Sequence, residues 1–221
     1  DNVEEVEAVL AAGADELYCG GLTSDWHNKF IAGSINRRPG GGSNFTSFDD
    51  LQKCIERAHI KNVPVYLTLN EHYYTFSQYP FIYGFIEKAI DVGIDGFIVA
   101  DLAIVLTFRK RYPDLKVIIS TGGNTFNSQT VAFYQDLGAS RIILSRHLTI
   151  EEIEDIQTEA TDIELEAFIL NSRCPNIDGL CTFHHELDDQ SLSPLYQNAC
   201  CLPYEISAST CKGEWPKYVS Y

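Results

Sequence analysis

Cysteine is the residue type whose distribution most clearly suggests chemistry in this chain. Two of the seven cysteines, Cys19 and Cys54, stand alone and are expected to pack in the core as small hydrophobic groups. The other five lie in the last quarter of the chain: Cys174, Cys181, Cys200, Cys201 and Cys211. In a reducing compartment, thiols in such numbers are more often metal ligands or catalytic groups than disulfides. The clustering therefore predicts a metal site in the C-terminal segment.

The residues alone leave the identity of the metal open. The spacing of the first three clustered cysteines is typical of neither a zinc finger nor a bacterial ferredoxin. His184 and His185 follow Cys181 closely, so a mixed cysteine and histidine zinc site is one interpretation. A solvated loop is the other interpretation of this histidine pair, because an acidic and polar stretch follows at residues 186–193.

Strands and helices must bring these side chains together, and the sequence repeats one pattern that predicts both. An apolar helix end is followed by a glycine, a polar residue and a β-rich run, beginning at Gly13, Gly93 and Gly138. Glycine suits the left-handed conformation that ends a helix, and a strand then follows after a short loop. Three further strands are predicted over residues 63–69, 115–120 and 163–170. The sequence thus predicts six strands that alternate with helices.

This alternation determines the expected fold. Short buried strands between amphipathic helices indicate a parallel sheet covered by helices, either doubly wound or closed into a barrel. We expect a TIM-type (β/α) barrel that is incomplete or open, since the chain begins inside a helix over residues 3–12. Residues 1–170 would form this barrel-like α/β domain, and the cysteine-rich segment 171–221 would pack on the same domain.

In such a fold, the residues that follow each strand meet at one edge and form the site. Here they are mostly polar or glycine: Cys19–Gly21, Asn70–Glu71, Asp101, Thr121–Asn124, Ser145–Arg146 and Asn171. Capping of the next helix is the expected role of Asp101 and of Thr149. Arg146 is expected to face the barrel mouth, where it could hold a carboxylate or phosphate. We predict that Arg146, Asn124 and Asn70 bind the substrate, and we assign no catalytic residue.

Two further features lie near these strand ends. Segment 22–45 is long for a loop, and its Arg37 and Arg38 precede a run of glycines. A flap is favoured over a phosphate cradle, because the spacing of a known phosphate-binding motif is missing. Six ring-bearing side chains follow Asn70: His72, Tyr73, Tyr74, Phe76, Tyr79 and Phe81. These rings could stack on a planar substrate, but packing of the loop on the barrel is favoured.

Composition narrows the classes of function. The chain has 31 acidic and 16 basic residues and a formal net charge of -15. The scattered basic residues argue against a dedicated nucleic-acid surface. The longest apolar stretch, residues 96–108, contains Asp101 and is shorter than the about 18 residues that a membrane span requires. The sequence shows no basic-plus-apolar leader, so the cytoplasm is the expected location.

Segments that occur in order along most of the chain resemble peptidase family U32, the collagenase-like peptidases. The cysteine region RCPNIDGLC, followed by NACCLPYE, carries this resemblance. Further similar segments are AGADELYCGG, VPVYLTLNE, GIDGFIVAD, ISTGGNTFN and LGASRIILSRHLTIEEI. The resemblance implies oxygen-independent hydroxylation, of a ubiquinone precursor or of RNA bases, with prephenate as the linked oxygen donor.

The same resemblance implies a cofactor, namely a [4Fe-4S] cluster on cysteine thiolates. By motif, Cys174, Cys181 and Cys200 are cluster ligands. The fourth ligand is expected to be Cys211, with Cys201 as the alternative. Zinc is the second expectation for this segment, and bare thiols are the third.

Three functions remain as predictions. The first is an enzyme, or a subunit of one, for oxygen-independent hydroxylation or related group transfer on a small aromatic substrate. The second is a collagenase-like protease, in which Cys181 and His184 could pair as thiolate and imidazolium. The sequence contains neither a serine nucleophile elbow nor a metalloprotease helix, which makes proteolysis the weaker prediction. The third is a non-catalytic metal-binding subunit that needs a related protein partner.

Overall fold

The computed structural model describes residues 3–30, 35–38, 43–170 and 176–181, and the backbone of four two-residue strands near the C-terminus. Seven α-helices lie within these described ranges: α1 Val3–Ala11, α2 Ser24–Lys29, α3 Phe48–Ile60, α4 Tyr79–Asp91, α5 Leu102–Arg111, α6 Ser128–Asp136 and α7 Ile150–Glu159. A short 3-10 helix spans Thr121–Gly123. The chain therefore alternates between helix and strand, as its sequence predicts.

Local signals in the sequence fix several helix ends. The Asp101 carboxylate accepts a hydrogen bond from the backbone N–H of Ile104 at 3.1 Å and caps α5. Thr149 and Glu152 form a reciprocal capping box at the start of α7. The three glycines of the repeated pattern, Gly13, Gly93 and Gly138, have φ values of 90°, 92° and 88°. The predicted caps and left-handed helix ends are thus confirmed.

Six parallel strands form one sheet in sequential order. They are β1 Leu17–Cys19, β2 Val65–Leu69, β3 Gly96–Val99, β4 Lys116–Ile119, β5 Arg141–Ile143 and β6 Glu164–Glu166. Each strand pairs with the next along the chain, and the sheet curls into a half-barrel covered by helices. This order excludes the doubly wound alternative and confirms the open barrel-like fold. The last strand is shorter than predicted, because residues 167–170 are exposed and lie outside it.

Four short strands follow in the C-terminal part. They are β7 Glu205–Ile206, β8 Ser209–Thr210, β9 Gly213–Glu214 and β10 Tyr218–Val219. β7 pairs with β10 and β8 pairs with β9, both antiparallel. No helix in the described part of the chain is both long and apolar enough to cross a membrane.

Side chains alternate between the two faces of the curled sheet, as the strand repeat requires. The larger hydrophobic cluster packs between the sheet and the helices and includes Leu67, Phe97 and Ile119. The second cluster consists of one side chain from each of the four central strands: Tyr66, Ile98, Ile118 and Ile143. Cys19 and Cys54 are 4% and 2% exposed within the larger cluster, which confirms the prediction that both are core residues.

The amino-terminal ends of the strands carry a group of paired charges, which we call the basal cluster: Glu16, Lys116, Arg141, Glu164 and Glu166. The Arg141 guanidinium donates to both carboxylate oxygens of Glu16, at 2.5 and 2.8 Å, across the open side of the sheet. It also donates to Glu164 at 2.7 Å and to Glu166 at 3.3 Å. Lys116 lies 3.3 Å from Glu164. These hydrogen bonds hold the pKa values of Glu16 and Glu164 below 4.5.

Candidate functional site

A cavity opens at the carboxyl ends of the strands, which we call the mouth of the half-barrel. It has a volume of about 220 Å³, and its walls include Arg37, Asn70, Thr121, Gly122, Arg146 and Cys181. Cavities at the β1 edge and along α7 have volumes of about 200 and 440 Å³ and hold none of the predicted substrate or metal residues. The mouth cavity is therefore the candidate site.

One carboxylate fastens the segment 176–181 onto the mouth. Asp178 accepts hydrogen bonds from the Arg146 guanidinium, with Nη2 at 2.5 Å and Nε at 3.2 Å, and from the Arg146 backbone N–H at 2.9 Å. Its side chain is only 4% exposed. Burial would raise the pKa of Asp178, but the hydrogen bonds and charge of Arg146 outweigh it and lower the pKa below the usual value. The carboxylate predicted for Arg146 thus comes from the chain itself.

A second contact fastens the same segment. Gly179 has a φ of 82°, and a Cβ placed on it would lie 2.1 Å from Oδ1 of Asn124. Any side chain at position 179 would therefore be both strained and in collision with the Asn124 amide. Asn124 itself adopts the left-handed conformation, with a φ of 57°, at the end of the 3-10 helix. We call the Arg146–Asp178 and Asn124–Gly179 contacts together the clasp.

The clasp brings Cys181 to the cavity. This thiol is half-buried and borders the same space as Asn70 and Arg146. Cys174, Cys200, Cys201 and Cys211 lie outside the described residues, as do His184 and His185. Within the described ranges, His, Cys, Asp and Glu side chains form no group of three or more that could hold a metal. Of the predicted ligands, Cys181 alone has a described position.

Cys19 is another described thiol near the mouth that could be considered as a metal ligand beside Cys181. Cys19 is the last residue of β1, near the mouth, but burial raises its pKa to about 12. Its sulfur lies 3.8 Å from the backbone oxygen of Tyr66. A thiol that stays protonated makes a poor metal ligand, since metals bind the thiolate. Among the described cysteines, only Cys181 borders the mouth cavity.

A serine, a histidine and an aspartate meet beside Arg146, but not as a catalytic triad. Ser145 Oγ lies 3.1 Å from Nδ1 of His147 and 3.3 Å from Oδ2 of Asp178. The same nitrogen, Nδ1, lies 3.6 Å from Asp178. A triad needs the serine on one ring nitrogen and the carboxylate on the other, so that the ring can pass a proton between them. Because both partners approach Nδ1, and Ser145 is 4% exposed, this arrangement is structural.

The opposite wall of the cavity comes from the loop after β1. The Arg37 backbone N–H donates to Oδ1 of Asn70 at 2.9 Å, and the Arg37 guanidinium lies 3.5 Å from Glu71. Ile35 is 1% exposed, and its backbone oxygen accepts a hydrogen bond from Tyr74 Oη at 2.7 Å. Residues 35–38 are thus packed on the mouth, unlike the flap that the sequence favoured.

The aromatic residues after Asn70 divide into two groups. Tyr74 is buried, and Tyr79 donates from its hydroxyl to Asp101 at 2.9 Å, which confirms the predicted packing role for these rings. Tyr73 and Phe76 are 69% and 94% exposed. His72 lies against Gly122, where a Cβ would be 3.3 Å from Nδ1 of its ring.

Two of the predicted substrate residues, Asn70 and Arg146, lie on the cavity, whereas Asn124 contacts Gly179 instead of lining it. Sequence reasoning missed Arg37 and Asp178. Two features of the sequence could have pointed to Asp178. It lies between two predicted ligand cysteines, and Arg146 was predicted at the mouth as a cation that would hold a carboxylate. Nothing in the spacing linked that carboxylate to Arg146, because 32 residues separate the pair.

Comparison with known proteins gives consistent results. The profile of "Peptidase family U32" matches residues 1–219. The chain is 28% identical over 165 residues to "tRNA hydroxylation protein P" of Escherichia coli K12, which covers 74% of this chain and 36% of that protein. It is 27% identical over 219 residues to the E. coli K12 "23S rRNA 5-hydroxycytidine C2501 synthase". This second alignment covers 97% of this chain and 29% of that protein. The chain thus spans roughly a third of each of these curated relatives.

A solved structure shares the fold. The U32 peptidase Mk0906 superposes with a TM-score of 0.51 at 18% sequence identity, over 70% of this chain and 68% of that one. The similarity supports the barrel-like architecture described above.

Proposed function

Since the chain belongs to peptidase family U32, we propose that it forms the barrel part of an iron–sulfur protein that hydroxylates RNA bases. The observation that carries this proposal is the clasp, which presents a half-buried thiol, Cys181, at a polar cavity on the carboxyl ends of the strands. Two curated relatives are named for RNA hydroxylation. An RNA base therefore replaces the small aromatic molecule predicted from the sequence.

The acidic net charge is compatible with an RNA substrate. A single base is bound by stacking and by hydrogen bonds to its edge, which do not require a positive charge over the whole chain. Exposed rings at the mouth, those of Tyr73 and Phe76, are available for such stacking. For this reason we do not retain the prediction that nucleic acid is an improbable partner.

The proposed cofactor is a [4Fe-4S] cluster, with Cys181 as one ligand. Cys174, Cys200 and either Cys211 or Cys201 are proposed as the others. When bound, such a cluster would supply iron that acts as a Lewis acid or electron carrier beside the cavity. The chain's own groups would hold the Cys181 segment through Asp178 and orient the substrate through the polar walls.

The test combines metal analysis with RNA analysis. We expect protein purified without oxygen to contain iron and sulfide, and Cys181→Ala to lose most of its iron. Cys54→Ala is the matched control, because that cysteine is 2% exposed in the core, and it should keep its iron. Stoichiometric zinc in an iron-free wild-type protein would refute the proposed cofactor.

For the RNA, the chain would be expressed in E. coli that lacks both named relatives. Mass spectrometry of nucleosides from tRNA and rRNA should then detect an added oxygen with wild type and Cys54→Ala, but not with Cys181→Ala. Absence of the oxygenated nucleoside in all three strains would contradict the proposed substrate. Peptide cleavage that survives iron removal would favour the protease instead.

A further inference from the structure

The basic residues that form no ion pair within the described ranges are unevenly distributed. They are Lys29, Lys61, Lys88, Arg109, Lys110 and Arg111. All except Lys61 lie on α2, α4 or α5. Lys88 lines a cavity, and Lys29 covers a ring that lines the same cavity. A chain with a net charge of -15 thus keeps two positive charges together without a described carboxylate partner.

This cavity is bounded by α2, α4 and the start of α3, and it has a volume of about 180 Å³. Its walls include the rings of Trp26, Phe48, Phe81 and Phe85. We call the cavity, together with Lys29 and Lys88, the aromatic groove. Ring-lined surfaces beside positive charges are typical of sites for single-stranded nucleic acid, because every base has a π-face and every phosphate a negative charge.

The rings also hold the two ammonium groups in place. Nζ of Lys29 lies 4.2 Å from the centroid of the Phe81 ring, and Nζ of Lys88 lies 5.7 Å from that of Phe48. A cation–π contact orients a lysine without neutralising it, and both lysines are exposed. Phe81 and Lys88 are two turns apart on one side of α4, a rise of about 10 Å. One short polyanion can therefore contact both lysines.

Carboxylates near the groove limit the affinity for an anion. Asp25 lines the cavity, and Glu87 and Asp91 are exposed on α4. We therefore expect weak binding, with a Kd of about 1 to 100 µM at physiological salt. A cationic ligand would meet two like charges in the groove, whereas a nucleotide brings a planar ring and a negative charge together.

The groove lies next to the loop that borders the mouth. α4 begins at Tyr79, directly after the loop that carries Asn70 of the mouth cavity and the exposed rings of Tyr73 and Phe76. Helices of a (β/α) fold run opposite to the strands, so the first turn of α4, with Phe81, lies toward the carboxyl ends of the strands. An RNA strand with one base in the mouth can continue into the groove.

We propose that the aromatic groove binds single-stranded RNA beside the mouth, with phosphates on Lys29 and Lys88 and one base against the rings. The inference rests on the proposed function and adds a surface that holds the RNA outside the reacting site. Phosphate contacts position a strand without reading its sequence, so the groove accepts RNA of any sequence.

The salt dependence of binding tests the phosphate contacts. Oligouridine of about 12 nucleotides would be titrated with the whole chain and followed by fluorescence anisotropy at several salt concentrations. The double variant Lys29→Gln and Lys88→Gln should bind about tenfold more weakly near physiological salt. Its slope of log K against log salt should be flatter by about 1.4, since each contact to a single strand contributes about 0.7. Lys61→Gln, also exposed and outside the described ion pairs, is the control and should match wild type.

Two further variants test the cavity and its carboxylate. Gly84 lines the cavity, and a Cβ there would meet no atom within 4 Å. Gly84→Leu should therefore fill the space and weaken binding with an unchanged salt slope, while its urea midpoint equals or exceeds that of wild type, since leucine favours a helix. Asp25→Asn removes a repulsive charge and should strengthen binding.

The outcomes separate this inference from the proposed function. A double lysine variant with the affinity and salt slope of wild type would overturn the inference alone. Equally tight binding of polyglutamate of the same charge would also overturn it, because the surface would then suit acidic peptides. The proposed function fails instead if wild type adds no oxygen to RNA in the E. coli strain described above. Lysine-dependent binding of oligouridine by that same protein would still support the groove.

Discussion

The two ends of the same sheet differ in whether their polar side chains have partners within the chain. At the amino-terminal end, the basal cluster surrounds Arg141 with three carboxylates of the chain. At the carboxyl end, the mouth contains a cavity, a half-buried thiol and a histidine whose ring nitrogens lack partners in the described structure. Among the residues that the structure describes, two have such unpartnered buried side-chain atoms, and both, His72 and Thr125, follow strands at the mouth.

This difference indicates a division of labour along the strands. Charges that satisfy one another stabilise the curled sheet, and they leave nothing for a ligand to bind. Polar groups that remain unsatisfied lower stability and are available to a substrate. The clasp combines the two kinds of polar group. Asp178 is fully hydrogen-bonded and stabilises the fold, yet the segment that it holds presents Cys181 to the cavity. Substitutions at each end can test this division.

The largest loss of stability is expected at the basal cluster. Arg141→Met leaves three neighbouring carboxylates without their shared cation, and Arg141 is 13% exposed. We expect the free energy of unfolding to fall by about 2 kcal/mol, between the values typical of exposed and buried ion pairs. Urea unfolding measures this loss, and iron content and RNA binding should stay at wild-type levels. Lys53→Met, in an exposed pair with Asp50, is the control and should change stability little.

A smaller loss of global stability is expected at the clasp, with a larger effect on the site. Asp178→Asn removes the charge that holds Arg146, but the segment 176–181 can detach without unfolding the sheet. We expect the free energy of unfolding, measured in urea, to fall by about 1 kcal/mol, and the bound iron to fall clearly. Asp155→Asn, on the exposed side of α7, is the matched control. If the Asp178 variant kept its iron, the clasp would not be what positions Cys181.

The smallest expected effect is the loss of stability of the basal cluster at low pH. The folded pKa values of Glu16 and Glu164 lie below 4.5, first because of hydrogen bonds from Arg141. Their contribution to stability is therefore fully present above pH 4.5 and is lost as the pH falls through the lowered values. Solvent screening keeps it below about 1 kcal/mol. Unfolding measured between about pH 6 and pH 3 should fall more steeply for wild type than for Arg141→Met; parallel curves would contradict this assignment.

The scaffold could largely be predicted from the sequence because its signals are local. The glycines at 13, 93 and 138 end helices, Asp101 and Thr149 cap them, and buried β-rich runs follow at regular intervals. Each of these signals acts within a few residues. The length of β6 was overestimated, since an apolar run predicts burial but does not reveal how many residues pair with a neighbouring strand.

The candidate site could be predicted only in part, because its contacts are distant in sequence. Arg146 was correctly expected at the mouth, but its partner is Asp178 of the cysteine-rich segment rather than a ligand. Asn124 was expected to bind substrate, whereas its amide packs against Gly179. His72 stood in a run of rings for which packing was the simpler interpretation. Its unpartnered nitrogens become visible only when its three-dimensional neighbours are known.

The sequential order of the strands has a consequence for how the chain is assembled. Every strand of the main sheet pairs with its immediate predecessor, so the sheet can grow unit by unit as the polypeptide leaves the ribosome. The bonds between Arg141 and Glu16 are the exception, because they join positions 125 residues apart. They can form only after five strands have been synthesised, so this ion pair, which joins the first and fifth strand regions, forms later than the pairing of the early strands.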